Sequence, residues 1–150
     1  MSYWDTSALL KLYAEEEDSP EFWKLLLRSS SGIKTSVIAQ AEIFCALQKK
    51  ARVGSLKQGG FDAIYTRFTR DVQEGRIVLL AITPSVFREM ERSGSALARK
   101  RLPLLRALDL IHLATAEAFK SPELVATDER LRAGAIALGL KVIPERRSSS

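Results

Sequence analysis

The chain has 150 residues, 46% of them apolar and 27% charged, with a formal net charge of +5. That length predicts one domain with a buried core, and that balance excludes a disordered or fibrous chain. No apolar stretch is long enough to span a bilayer, and the N-terminus has no basic segment leading into a cleavage-site pattern, so neither a membrane span nor a secretory signal is expected. The single cysteine, Cys45, excludes an internal disulfide and agrees with a reducing, cytoplasmic setting. It is read as a small buried apolar residue of a helix.

The elements follow in a regular order. Tyr3-Trp4 is a short buried strand, and a helix follows from Ser7 to about Glu16, with Asp5 or Thr6 near its N-cap. Ser19-Pro20 opens a second helix, since serine caps and proline suits the first turn, and Ser29 to Gly32 closes it. Ile33 to Ser36 is a second strand. A helix then runs to about Arg52, with Ile38, Ala41, Cys45 and Leu47 on its expected buried side. After the breaks at Gly54 and Gly59-Gly60, a polar helix spans about Asp62 to Glu74, and Arg76 to Ile82 is a third strand. Pro84 starts a helix expected to reach Ser93-Gly94, and Leu104 to Phe119 forms the next. Leu124 to Thr127 is a fourth strand, Glu129 to Leu138 a helix ended by Gly139, and Leu140 to Ile143 a fifth strand. The domain is expected to fill residues 1–145, with the basic, serine-rich tail 146–150 disordered. Short, wholly apolar strands alternating with helices argue for a mainly parallel five-stranded sheet covered on both faces, a three-layer α/β/α sandwich.

Four acids stand out against this frame: Asp5, Glu42, Asp109 and Asp128. Asp5 and Asp128 each follow a strand, and in open α/β sheets sites form at the carboxyl ends of strands, at the topological switch point. If strands one and four are neighbours there, both acids enter one crevice. Glu42, on the helix after strand two, can reach it from the side, and Asp109, near a helix start, can complete the ring. Converging carboxylates repel one another and call for a hard divalent cation, with water and phosphate oxygens completing its shell. Any one acid at a helix start is more simply a cap, worth about 0.5–2 kcal/mol. Glu42 is different, because a mid-helix Glu is not needed as a cap. His112 is read as a structural hydrogen-bonding residue on the same helical face as Asp109. The excess of Lys and Arg around a local acidic site suits a phosphodiester partner.

Four pieces in order carry a family resemblance: Asp5-Thr6-Ser7-Ala8-Leu9, Thr35-Ser36 with Ala41-Glu42, Ala107 to Ala116 around Asp109, and Leu124 to Leu131 around Asp128 followed by Gly139 to Ile143. Together they resemble the PIN-domain ribonucleases, especially the VapC-type toxins of toxin–antitoxin pairs. The chain departs from the family at Ala126, where relatives often carry Ser or Thr, and has Thr127 beside it. The resemblance implies a PIN-like fold and a Mg²⁺- or Mn²⁺-dependent endoribonuclease that leaves a 5′-phosphate and inhibits translation or growth. Asp5, Glu42, Asp109 and Asp128 are then catalytic and metal-holding, and Ser7 and Thr127 support them. Arg130, Lys49 and Arg106 are candidates for touching RNA. A small antitoxin filling the active-site groove and a homodimer are the implied protein partners. The apolar and aromatic first two helices are expected to leave surface for one of them.

Other α/β chemistries fit less well. A haloacid-dehalogenase-like phosphatase needs a second Asp where this chain has Ser7, and a receiver domain needs an acidic pair at the first strand. A non-catalytic PIN-like module binding RNA or protein is the alternative, and the full set of four acids weighs against it.

Overall fold

A computed structural model describes residues 1–29, 31–57 and 59–146. These form five strands: β1 (Ser2–Trp4), β2 (Ile33–Ser36), β3 (Ile77–Leu80), β4 (Leu124–Val125) and β5 (Val142–Ile143). They also form seven helices: α1 (Thr6–Leu10), α2 (Ser19–Arg28), α3 (Ile38–Arg52), α4 (Gly60–Gln73), α5 (Pro84–Arg99), α6 (Ala107–Ala118) and α7 (Glu129–Ala137). The strand order is β3-β2-β1-β4-β5 and every pairing is parallel. The order reverses between β1 and β4, so the switch point falls between the strands that precede Asp5 and Asp128.

Strand alternation distributes the core. Tyr3 and Trp4 are both buried, and as successive strand residues they point to opposite faces. Trp4 packs with Leu9, Phe22, Ile43, Leu47 and Phe68 under α1–α4, meeting the Phe22 ring edge-on at 6.3 Å. Tyr3 packs with Leu97, Leu113 and Leu131 under α5–α7. The result is the expected three-layer α/β/α sandwich, with a sheet wholly rather than mainly parallel.

Several boundaries differ from the sequence reading. The helix starting at Pro84 does not end at Ser93-Gly94 but continues to Arg99. Gly94 lies in it as a contact point, where an added Cβ would fall 3.2 Å from Leu110 Cδ2 of α6. Its missing side chain lets two helices approach rather than breaking one. The following helix begins at Ala107 rather than Leu104, because Arg106 is still extended at φ −65°, ψ 156°. That later start puts Asp109 in the first turn. On α3 the buried residues are Ala39, Ile43 and Leu47, and Cys45 is exposed. Ala39, Ile43 and Leu47 recur every four residues and share one face, which turns Cys45 away from the core. The end of the tail, residues 147–150, lies outside the described residues.

Candidate active site

Asp5 is held at the end of β1 from several directions. Its amide donates to the Val125 carbonyl of β4 at 3.0 Å, which ties it to the neighbouring strand. Its carboxylate caps α1: Oδ1 accepts from the Ala8 amide at 2.8 Å and Oδ2 from the Ser7 hydroxyl at 2.6 Å. The Thr127 hydroxyl donates to Ser7 Oγ at 2.6 Å, so the two hydroxyls singled out in the sequence form one chain ending on Asp5. Burial pushes the Asp5 carboxyl up to about 6, against the bonds from Ser7 and Ala8 that favour its charged form. The charge of Asp109 adds to the rise.

Asp128 caps α7, with Oδ1 accepting from the Leu131 amide at 2.9 Å. Both strand-end acids are therefore caps as well as site candidates. Arg132, one turn into α7 and buried, donates to the Ala126 carbonyl at 2.7 Å and the Pro144 carbonyl at 2.6 Å. It thereby ties α7 to the segment just before Asp128 and to the segment that follows β5. Sequence reasoning gave Arg132 no role, since an arginine on a helix reads as solvated until its burial is known.

Asp109 is half-buried, and its carboxyl is pushed up by burial first and by the Asp128 carboxylate next. Glu42 adds to that push, while the Arg106 guanidinium opposes it. The Arg106 guanidinium lies 3.9 Å from Asp109 Oδ2. Glu42 enters from the fifth position of α3, where its Oε1 accepts from the Thr6 hydroxyl at 2.7 Å and lies 2.6 Å from His112 Nε2. Burial would raise the Glu42 carboxyl, but the bonds from His112 and Thr6 outweigh it and hold the group below its usual value. His112 is thus turned toward Glu42, across two helices, rather than serving Asp109 on its own helix.

One open cleft of about 420 Å³ is lined by Ser7, Glu42, Arg106, Ala107, Leu108, Asp109, Thr127 and Asp128. It brings together three of the four expected acids, both supporting hydroxyls and one expected RNA-contacting residue, with Asp5 buried directly beneath Ser7. Arg130 is exposed on the first turn of α7 next to Asp128. Lys49 is elsewhere: it lines a separate hollow with Cys45, Gln48, Arg52 and Phe61, about two helical turns along α3 from Glu42. Among the described residues, no three Asp, Glu, His or Cys side chains are placed to hold one metal ion as a group. The donor set is nonetheless all carboxylate oxygen, the kind of set that suits a hard divalent cation.

The sequence profile of the PIN domain matches residues 2–136. The chain belongs to the PIN-domain family. Proteins of this family are generally nucleases, and those nucleases generally use divalent metal ions. This PIN domain also has the fold of several solved structures. One is VapBC2 from Rickettsia felis bound to a DNA fragment from its promoter, with 15% identity, a TM-score of 0.67, and coverage of 95% of this chain and 97% of that one. A toxin–antitoxin complex from Klebsiella pneumoniae is similar at 18% identity and a TM-score of 0.63, over 95% and 96% of the two chains. FitAcB from Neisseria gonorrhoeae is similar at 16% identity and a TM-score of 0.65, over the same shares. At these identities the likeness shows the fold alone. No curated protein matches this PIN domain in sequence. No described helix is long and apolar enough to cross a membrane.

Proposed function

We propose that this PIN domain is a metal-dependent endoribonuclease acting as the toxin of a toxin–antitoxin pair. The observation that carries the reading is the meeting of Glu42, Asp109 and Asp128 in one cleft above the buried Asp5. Family membership supports nuclease chemistry, and the toxin–antitoxin complexes among proteins of like fold support the biological role. Asp5, Glu42, Asp109 and Asp128 would hold Mg²⁺ or Mn²⁺. Mg²⁺ commonly takes only one or two carboxylates and completes its shell with water and substrate phosphate, so the site needs no cage of three acids. When bound, such an ion lowers the pKa of a water and offsets charge on the scissile phosphate.

The chain's own groups prepare that site. Ser7 and Thr127 hold Asp5 in one rotamer, the Asp128 cap fixes the start of α7, and Arg106 offers a cation at the cleft for a backbone phosphate. Single-stranded or looped RNA is the proposed substrate, because an open cleft admits a strand whose bases are unpaired. A small antitoxin covering the cleft and a homodimer are the proposed protein partners. Exposed Trp23 and Leu27 on α2 leave apolar surface for one of them.

RNA cleavage by the purified chain with Mn²⁺ or Mg²⁺, with and without EDTA, tests the reading beside Asp5→Asn and Asp109→Asn. Cutting that needs metal and is lost in both variants is expected. A folded wild type that neither cuts several RNAs nor binds Mn²⁺ would remove the metal site and leave a binding-only module.

A further inference from the structure

Glu42 sits at the end of a line of buried polar groups that the proposed chemistry does not use. The Ser36 amide donates to the Tyr3 hydroxyl at 3.0 Å, and that hydroxyl lies 2.7 Å from His112 Nδ1. His112 Nε2 lies 2.6 Å from Glu42 Oε1, and the Thr6 hydroxyl donates to the same oxygen at 2.7 Å. Tyr3, Ser36 and His112 are all buried.

The chemistry assigns a direction to this line. An ionised carboxylate only accepts, so Nε2 must carry a proton where it meets Glu42. In the neutral ring Nδ1 is then an acceptor and accepts the hydrogen bond donated by the Tyr3 hydroxyl. The Tyr3 oxygen, with its hydrogen directed to Nδ1, accepts from the Ser36 amide. Every donor has an acceptor, from a β2 backbone amide to the α3 carboxylate. The Tyr3 and His112 rings meet edge-on at 5.9 Å, which sets the plane of the imidazole. Both donors to Glu42 converge on Oε1. Among the described residues Oε2 has no hydrogen-bond donor.

We infer that Tyr3 and His112 form a positioning relay, joined by Thr6, that grips the Glu42 carboxylate by Oε1 and reserves Oε2 for a divalent cation in the cleft. The inference rests on the metal-dependent reading above. Three elements share the work: β1 supplies Tyr3, α6 supplies His112, and α1 supplies Thr6. Neither His112 nor Tyr3 touches substrate in this scheme. They act by sparing Glu42 the search for one rotamer among several, and outer partners of this kind typically change metal affinity about 10–100-fold.

Calorimetric titration of the whole purified chain with Mn²⁺ alone tests the relay, with thermal melting as a check on folding. His112→Ala is expected to weaken Mn²⁺ binding about tenfold or more. His112→Gln puts an amide N–H near the place of Nε2 and is expected to restore most of that loss, which a merely space-filling role would not predict. Thr6→Val keeps His112 and the core volume and removes one donor, so it serves if His112→Ala does not fold, and it too should weaken Mn²⁺. On a Glu42→Gln background, His112→Ala is expected to cost nothing further. Mn²⁺ affinity unchanged in Thr6→Val and His112→Ala, or equal losses with and without Glu42, would overturn the relay while leaving the metal site standing. A folded wild type that binds no Mn²⁺ would instead overturn the metal reading, and the relay with it.

Discussion

Asp5 is buried under Ser7 and its carboxyl is raised from 3.8 to about 6. A raised carboxyl means the folded chain holds the proton more tightly than the unfolded one. The Asp5 contribution to stability therefore falls as pH rises from about 4 through about 6, and the full penalty persists above that. A rise of that size corresponds to about 3 kcal/mol. In metal-free buffer at neutral pH, Asp5→Asn is expected to raise unfolding stability by about 1–3 kcal/mol, because Asn keeps the cap and removes the buried charge. Urea unfolding from pH 4 to 8 checks this: the wild type should lose more stability across the window than the variant, in which the raised Asp109 still titrates. Asp128 separates two roles at one position. Asp128→Asn should keep the α7 cap and lose cleavage, whereas Asp128→Ala should lose cleavage and also about 1 kcal/mol of stability. If Asp128→Asn cleaves RNA at the wild-type rate, Asp128 is a cap alone.

At the scale of elements, the site depends on where helices begin. An α6 that started at Leu104 would carry Asp109 in its second turn. The extended Arg106 delays the start and puts Asp109 in the first turn, beside Arg106 and close enough to Asp128 to feel its charge. The α5–α6 contact that seats this helix passes over Gly94, where a Cβ would press on Leu110. Gly94→Val is expected to destabilise the fold by about 1–3 kcal/mol through overpacking, despite valine's better helix propensity. Chemical denaturation measures that cost. Reduced Mn²⁺ binding in the same variant at a temperature where it is folded would show that the contact also sets the Asp109 position.

At the scale of the whole molecule, a parallel sheet with its switch between β1 and β4 delivers two strand ends to one crevice, and helices from both layers bring the other acids to it. Lys and Arg exceed Asp and Glu over the chain, and the cleft itself holds Arg106 among its acids. If RNA lies along this cleft, its affinity should fall steeply as salt rises, because bound strands release counterions. Arg106→Ala is expected to weaken RNA binding about equally for all sequences and to reduce the slope of log affinity against log salt by about 0.7, the value of one single-strand phosphate contact. Binding measured from about 50 to 200 mM salt, in EDTA to prevent cleavage, gives both numbers. Lys49→Ala, in its separate hollow, should change the slope less.

Much of this was legible in the chain itself. Short apolar runs separated by helical stretches required a covered parallel sheet, since fully apolar strands must be buried on both sides. Asp5 and Asp128 could be placed because each lies just beyond the carboxyl end of a strand, and strand ends in such a sheet lie on a known side. Gly94 and Cys45 were misread for one reason: a helix pattern shows which residues could face a core, not which neighbour arrives there. The same gap hid the partners of Glu42. Tyr3, Thr6, Glu42 and His112 lie on four elements, and hydrogen bonds of 2.6–2.7 Å between them depend on strand register and helix rotation, to which local sequence is nearly blind. The sequence by itself determined the layers, the order of the elements and the presence of four acids. Only the tertiary structure decided that three of them share a cleft while the fourth lies beneath it, and that a buried tyrosine and histidine reach across the sheet to hold one, because those distances arise from packing rather than from spacing along the chain.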